Sequence, residues 1–116
     1  MRGVKYRPST VMTIEKICHL DCTKETNREA LFRRVNKVCK TDHLDLNKVL
    51  RGIKILCRKT GLGSVVATSY PRGLDIVCTA SLHDVKKDEV VCTAIALDYN
   101  ELLAKMFLVL LQISKQ

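Results

Sequence analysis

Tryptophan is absent, and only five other aromatic residues (Tyr6, Phe32, Tyr70, Tyr99 and Phe107) occur in the 116 residues. Proteins that read single-stranded nucleic acid stack bases on aromatic side chains interleaved with lysine and arginine. Here only Tyr70 falls in a segment that reads as a strand, which excludes a stacking sheet of that kind. Proline and glycine are equally scarce, at two and five, and nothing marks a linker, an internal repeat or a low-complexity stretch. Long apolar runs are missing too. The longest, residues 102–113, covers about a dozen positions, is broken by Lys105 and Gln112, and falls short of the ~20 needed to span a bilayer. Near the N-terminus Arg2, Lys5 and Arg7 precede only Val11, Met12 and Ile14, interrupted by Thr13 and Glu15, too little for a signal-peptide core. The chain is expected to be cytoplasmic or nuclear, away from membranes, with its six cysteines reduced.

Carboxylates are in short supply in one half of the chain only. Residues 1–60 carry 15 lysines and arginines against 6 acidic residues, whereas residues 61–116 carry 5 against 6. The net charge of +8 therefore belongs to the first half. Such a concentration suits a polyanion such as nucleic acid, an acidic protein surface, or simply a solvated face.

Catalytic groupings are also lacking. His19, His43 and His83 lie in predicted loops, with no serine or cysteine nucleophile at a recognisable elbow. Gly61-Leu62-Gly63 is too short for a phosphate loop and follows a helix instead of a strand. The chain reads as a non-catalytic binding module, without cofactor or small-molecule substrate.

What is present is patterned as one α+β domain. Residues 1–12 read as a basic N-terminal arm leading into a short strand around Val11–Ile14, and residues 13–116 as the domain. A first helix is predicted from Asn27 to Cys39, opened by a Thr26/Glu29 capping box, with Leu31, Val35 and Val38 on one face. A second is predicted from Leu46 to Lys59. Asp45 would be its N-cap, Leu46, Val49, Leu50, Ile53, Leu56 and Cys57 its apolar face, and Gly61 its stop. The period then changes to two. Ser64–Tyr70 reads as a strand, Pro71-Arg72-Gly73 as a turn, and Leu74–Leu82 as a strand presenting Leu74, Ile76, Cys78, Ala80 and Leu82 to one side. A charged connection leads to a third strand, Glu89–Leu97, and short connections favour an antiparallel meander. After Asp98, with Glu101 as capping-box partner, a last helix runs to about Ser114. The expected order is α-α-β-β-β-α, the final helix lying on the sheet. That helix is apolar nearly all round, so both of its sides need cover, from the earlier helices or from a second chain. Leu103, Phe107, Leu110 and Leu111 are the candidate protein-interface residues on it.

Cys18, Cys22, Cys39 and His43 are zinc-compatible in type and spacing. Helix geometry opposes the site, because a helix over 27–39 holds Cys22 and Cys39 about 18 Å apart or more. Cys57, Cys78 and Cys92 read as small hydrophobes.

The order helix, three antiparallel strands, helix over residues 45–115 resembles the double-stranded-RNA-binding domain family. Pro71-Arg72-Gly73 matches that family's loop between its first two strands. The family's basic K-K-x-A-K cluster corresponds to Glu101-Leu102-Leu103-Ala104-Lys105, of which Ala104 and Lys105 survive. The resemblance implies a divergent member that binds another protein, or itself, through its sheet edge and final helix, within an RNA-associated complex. Direct RNA binding is the alternative. Its candidate contacts are Arg28, Arg33, Arg34, Lys37, Lys48, Arg51, Lys54, Arg58 and Lys59 on the first two helices, with Arg72 and Lys105 beyond them. A small zinc domain is the third reading.

Overall fold

Proline at the first helical position fixes φ where a helix needs it and gives up only an amide that would be unbonded there. Pro8 does this for α1, Pro8–Cys18, whose Thr10, Ile14, Ile17 and Cys18 are buried at helical spacing. The strand expected over Val11–Ile14 is thereby corrected: from Pro8 onward that segment is a helix. In this computed structural model residues 6–73 and 75–115 are described, the side chains of 64–67 excepted. The first five residues of the expected arm, and Leu74 of the second strand's expected apolar face, lie outside them.

Helix α2, Glu25–Cys39, starts two residues earlier than expected, and its N-cap, Lys24, makes no side-chain capping bond. The loop before it is braced instead by Asp21. The Asp21 carboxylate accepts from the Thr23 amide and hydroxyl, and its carbonyl accepts from Asn27 Nδ2 at 3.0 Å. Helix α3, Leu46–Thr60, follows expectation. Asp45 accepts from the Asn47 and Lys48 amides at 3.1 and 3.3 Å, and Gly61 ends the helix at φ 73°, a conformation glycine adopts without strain.

Three antiparallel strands follow in the order β1-β2-β3: β1 Leu62–Arg72, β2 Asp75–Asp84 and β3 Glu89–Ala96. Strand β1 continues through the expected turn to pair Arg72 with Asp75. Cys78, Ala80 and Leu82 face the core as expected, but Ile76 is exposed at the hairpin tip and Val77 is buried. A bulge where β3 meets Leu82 and His83 inserts Val91 as an extra residue, which lets Val91 and Cys92 both turn inward. The other face carries hydroxyl pairs, Thr68 with Thr79 and Ser81 with Thr93.

Helix α4, Tyr99–Ser114, is the axis of the molecule. Asp98 caps it by accepting from the Glu101 amide at 2.9 Å. Every residue from Glu101 to Leu110 is buried, because α4 packs on β2 and β3 while α1, α2 and α3 close round its remaining sides. Its all-round apolar character is therefore satisfied within the chain. Glycine makes the tightest of these contacts possible: a Cβ on Gly52 of α3 would stand 2.6 Å from the Phe107 ring.

Candidate nucleic-acid interface

On α3 the buried residues Val49, Ile53 and Leu56 define one stripe. The exposed side chains of the helix are the cations Lys48, Arg51, Lys54, Arg58 and Lys59, with Asn47 and the apolar Leu46, Leu50 and Ile55. The helix contains no carboxylate, and Asp45 just before it is engaged with backbone amides. None of the ion pairs among the described residues uses an α3 side chain. Lys48 and Lys59 are separated by about 16 Å of helix axis at 1.5 Å per residue. The result is a cationic strip with no internal counter-charge.

The cations of α2 sit differently. Arg33, Arg34 and Lys37 are exposed. Arg33 and Lys37 share a shallow groove with Phe32, Asn36 and Thr41, and with the carboxylates of Glu29 and Asp42. That strip is partly neutralised by its own neighbours, so the stronger anion-attracting surface is α3.

Three of the expected contacts are placed elsewhere. Arg28 pairs with Asp98 at 2.8 Å and approaches Glu101 at 3.5 Å. Its guanidinium lies over the Phe32 ring, 4.7 Å from the centroid. Lys105 is fully buried: its ammonium donates to Glu101 Oε2 at 2.9 Å and to the Leu20 and Ile95 carbonyls at 2.8 and 2.7 Å. All three of its donors are used, so it has none for a phosphate. Arg72 lines a different cavity, of about 490 Å³, between the α1–α2 loop and the β1–β2 hairpin, with His19, Asp21, Asp75 and Glu101 among its other walls.

The expected protein interface on α4 is likewise corrected. Leu103, Phe107 and Leu110 are buried and Leu111 is half-buried, covered by the chain's own helices and sheet. Nor do the zinc-compatible side chains converge: among the described residues no three metal-binding groups come together. Cys18 and Cys22 are core residues, while His43 is exposed and paired with Asp42 at 2.9 Å. The neighbouring Cys92 thiol and burial together push the Cys18 thiol well above its usual range. Burial raises the thiols of Cys22, Cys39 and Cys57. Among the described residues no helix is long and apolar enough to cross a membrane.

Sequence reasoning missed the Arg28–Glu101–Lys105 network. A signal for it existed. Glu101 and Lys105 are four residues apart on a helix otherwise almost wholly apolar, and charges so placed are buried only when they are paired.

No family model, curated protein or solved structure matches this chain.

Proposed function

We propose that this protein is a non-catalytic RNA-binding module whose contact surface is the outer face of α3, flanked by Arg33, Arg34 and Lys37 of α2. One observation carries the reading: five exposed cations on a single helix, with no carboxylate on that helix and, among the described residues, no ion pair to any of them. Phosphate neutralisation supplies most of the sequence-independent affinity for nucleic acid, and displaced counterions drive it. The scarcity of aromatic side chains favours contacts to a duplex backbone over stacking on unpaired bases. The double-stranded-RNA-binding resemblance rests on the element order α3-β1-β2-β3-α4, which many unrelated domains share. Burial of Lys105 removes the surviving lysine of that family's cluster from the contact, so the proposed mode runs through α3 instead.

The test is fluorescence anisotropy with a labelled RNA duplex of about 20 base pairs, longer than the ~16 base pairs a duplex-binding domain spans. Affinity is expected to fall by several hundredfold between about 50 and 200 mM salt if five phosphates are neutralised. Combining Arg51→Glu with Arg58→Glu is expected to lower affinity and reduce the salt slope by about two. Circular dichroism should remain unchanged, since both side chains are exposed. Absence of binding at the lower salt would end the proposal.

A further inference from the structure

The cavity bordered by Arg72 has a volume of about 490 Å³, within the range of about 300–1,000 Å³ usual for small-molecule sites. Three parts of the fold wall it: residues 19–23 of the α1–α2 loop, the β1–β2 hairpin, and the end of β3 where the chain enters α4. Leu20, Val77, Ile95 and Leu97 supply apolar wall. Its charged groups are the carboxylates of Asp21, Asp75 and Glu101 against a single arginine, Arg72. On a chain of net charge +8 this is a local reversal of sign. Arg72 and Asp75 stand opposite each other on the hairpin, yet among the described residues neither has an ion pair.

Glu101 supplies the deciding observation. It is 1 % exposed, and its two oxygens are unequally bonded. Oε2 has the Lys105 ammonium at 2.9 Å. Oε1 has Arg28 at 3.5 Å and the Leu97 amide at 3.4 Å, whereas charge-assisted bonds measure about 2.7–2.9 Å. Lys105 has no proton left to offer it, and Arg28 is held at 2.8 Å by Asp98. The Cys22 thiol also adjoins the carboxylate, but a thiol is a weak donor. A buried carboxylate that borders a cavity is thus short of one good donor.

We infer that this cavity binds a small aliphatic diamine. One ammonium donates to Glu101 Oε1, and the methylene chain lies against Val77, Ile95 and Leu97. The second ammonium is met at the mouth by the exposed carboxylates of Asp21 and Asp75. Two positive charges match three carboxylates less one arginine. An anion is opposed by the excess carboxylates, and a neutral apolar molecule leaves Oε1 without its donor. A metal ion fits less well, because among the described residues no three metal-binding groups converge. The site shares no residue with the α3 surface and does not rest on the RNA-binding reading, so it is tested without RNA.

The test is two-dimensional amide NMR of the isotope-labelled full chain, titrated at constant ionic strength with cadaverine up to about 10 mM, enough to fill a millimolar site. Saturable shifts are expected at residues 19–23, 75–77 and 95–101. Glutarate and 1-pentanol, of the same chain length but with two negative charges and none, are expected to leave those amides unmoved. Combining Asp21→Asn with Asp75→Asn should weaken cadaverine by about tenfold, the order expected for two exposed charge contacts. Both side chains are exposed, so the remainder of the spectrum should be preserved. No saturable shift with cadaverine overturns the inference. So does glutarate or pentanol binding as tightly, an affinity that the double variant leaves unchanged, or shifts spread equally over the exposed carboxylates of Glu15, Glu29 and Asp42.

Discussion

At the scale of single residues, Lys105 decides more than any other side chain described. Its three protons bind Glu101 and the carbonyls of Leu20 and Ile95, which joins α4 to the α1–α2 loop and to β3. Glu101 in turn accepts from the Leu97 amide at 3.4 Å and meets Arg28. Two charges taken out of water cost several kcal/mol each, and their attraction offsets this only when the remaining donors and acceptors are satisfied. That condition is met for the lysine, so removing it would leave Glu101 buried with its main counter-charge gone. Lys105→Met is expected to destabilise the fold by about 3–5 kcal/mol in urea unfolding. Adding Glu101→Gln should recover part of the loss, because the uncompensated carboxylate is then removed as well. A loss under about 1 kcal/mol, as for an exposed pair, would mean that water reaches the network.

At the scale of elements, the contact between α3 and α4 depends on a missing side chain. With Gly52 replaced by Ala, the new methyl would meet the Phe107 ring at 2.6 Å, and that ring is buried on α4. Overpacking of this kind costs about 1–3 kcal/mol, while alanine regains up to about 1 kcal/mol of helix propensity. A net loss is expected in thermal unfolding, and Phe107→Leu introduced together with Gly52→Ala should cost less than the two separate losses combined. Additive losses would show that the helices part without strain.

Helix α3 was legible in the sequence because each local signal agreed: Asp45 as cap, an apolar stripe, and Gly61 as stop. Helix α1 was not, because a polar residue, Thr10, occupies one of its core positions and Val11–Ile14 alone fits either period. The start of α2 was misplaced because the Thr26/Glu29 spacing matches a capping box, whereas the working brace is the Asp21–Thr23 turn. The basic half was plain from composition. Which of its cations are free was not, since Arg28 is tied to Asp98 and Glu101 across 70 or so residues of chain, a distance over which local patterns carry no information.

At the scale of the whole molecule, the charge imbalance acts on folding as well as on binding. The first 60 residues carry a net +9, and the structure spreads most of it over the outer faces of the helices that surround α4. The molecule measures 36 × 35 × 25 Å. At about 10 mM salt the Debye length is roughly 30 Å, so cations on α2 and α3 repel one another across the body; at 0.15 M it is about 8 Å and only near neighbours interact. Self-repulsion of this kind destabilises the compact state and is relieved by expansion of the chain. Screening also weakens the part-exposed Asp98–Arg28 pair, but such a pair contributes about 0–1 kcal/mol at most. The buried Glu101–Lys105 pair is scarcely screened. Repulsion among many cations therefore outweighs the attraction lost. Raising sodium chloride from about 10 to 150 mM is expected to raise Tm by a few degrees, the shift that about 1 kcal/mol produces in a domain near this size. Differential scanning calorimetry measures it. A falling Tm would mean that the cations of α2 and α3 are already neutralised by groups on the same chain, and the surface proposed for RNA would lose its physical basis.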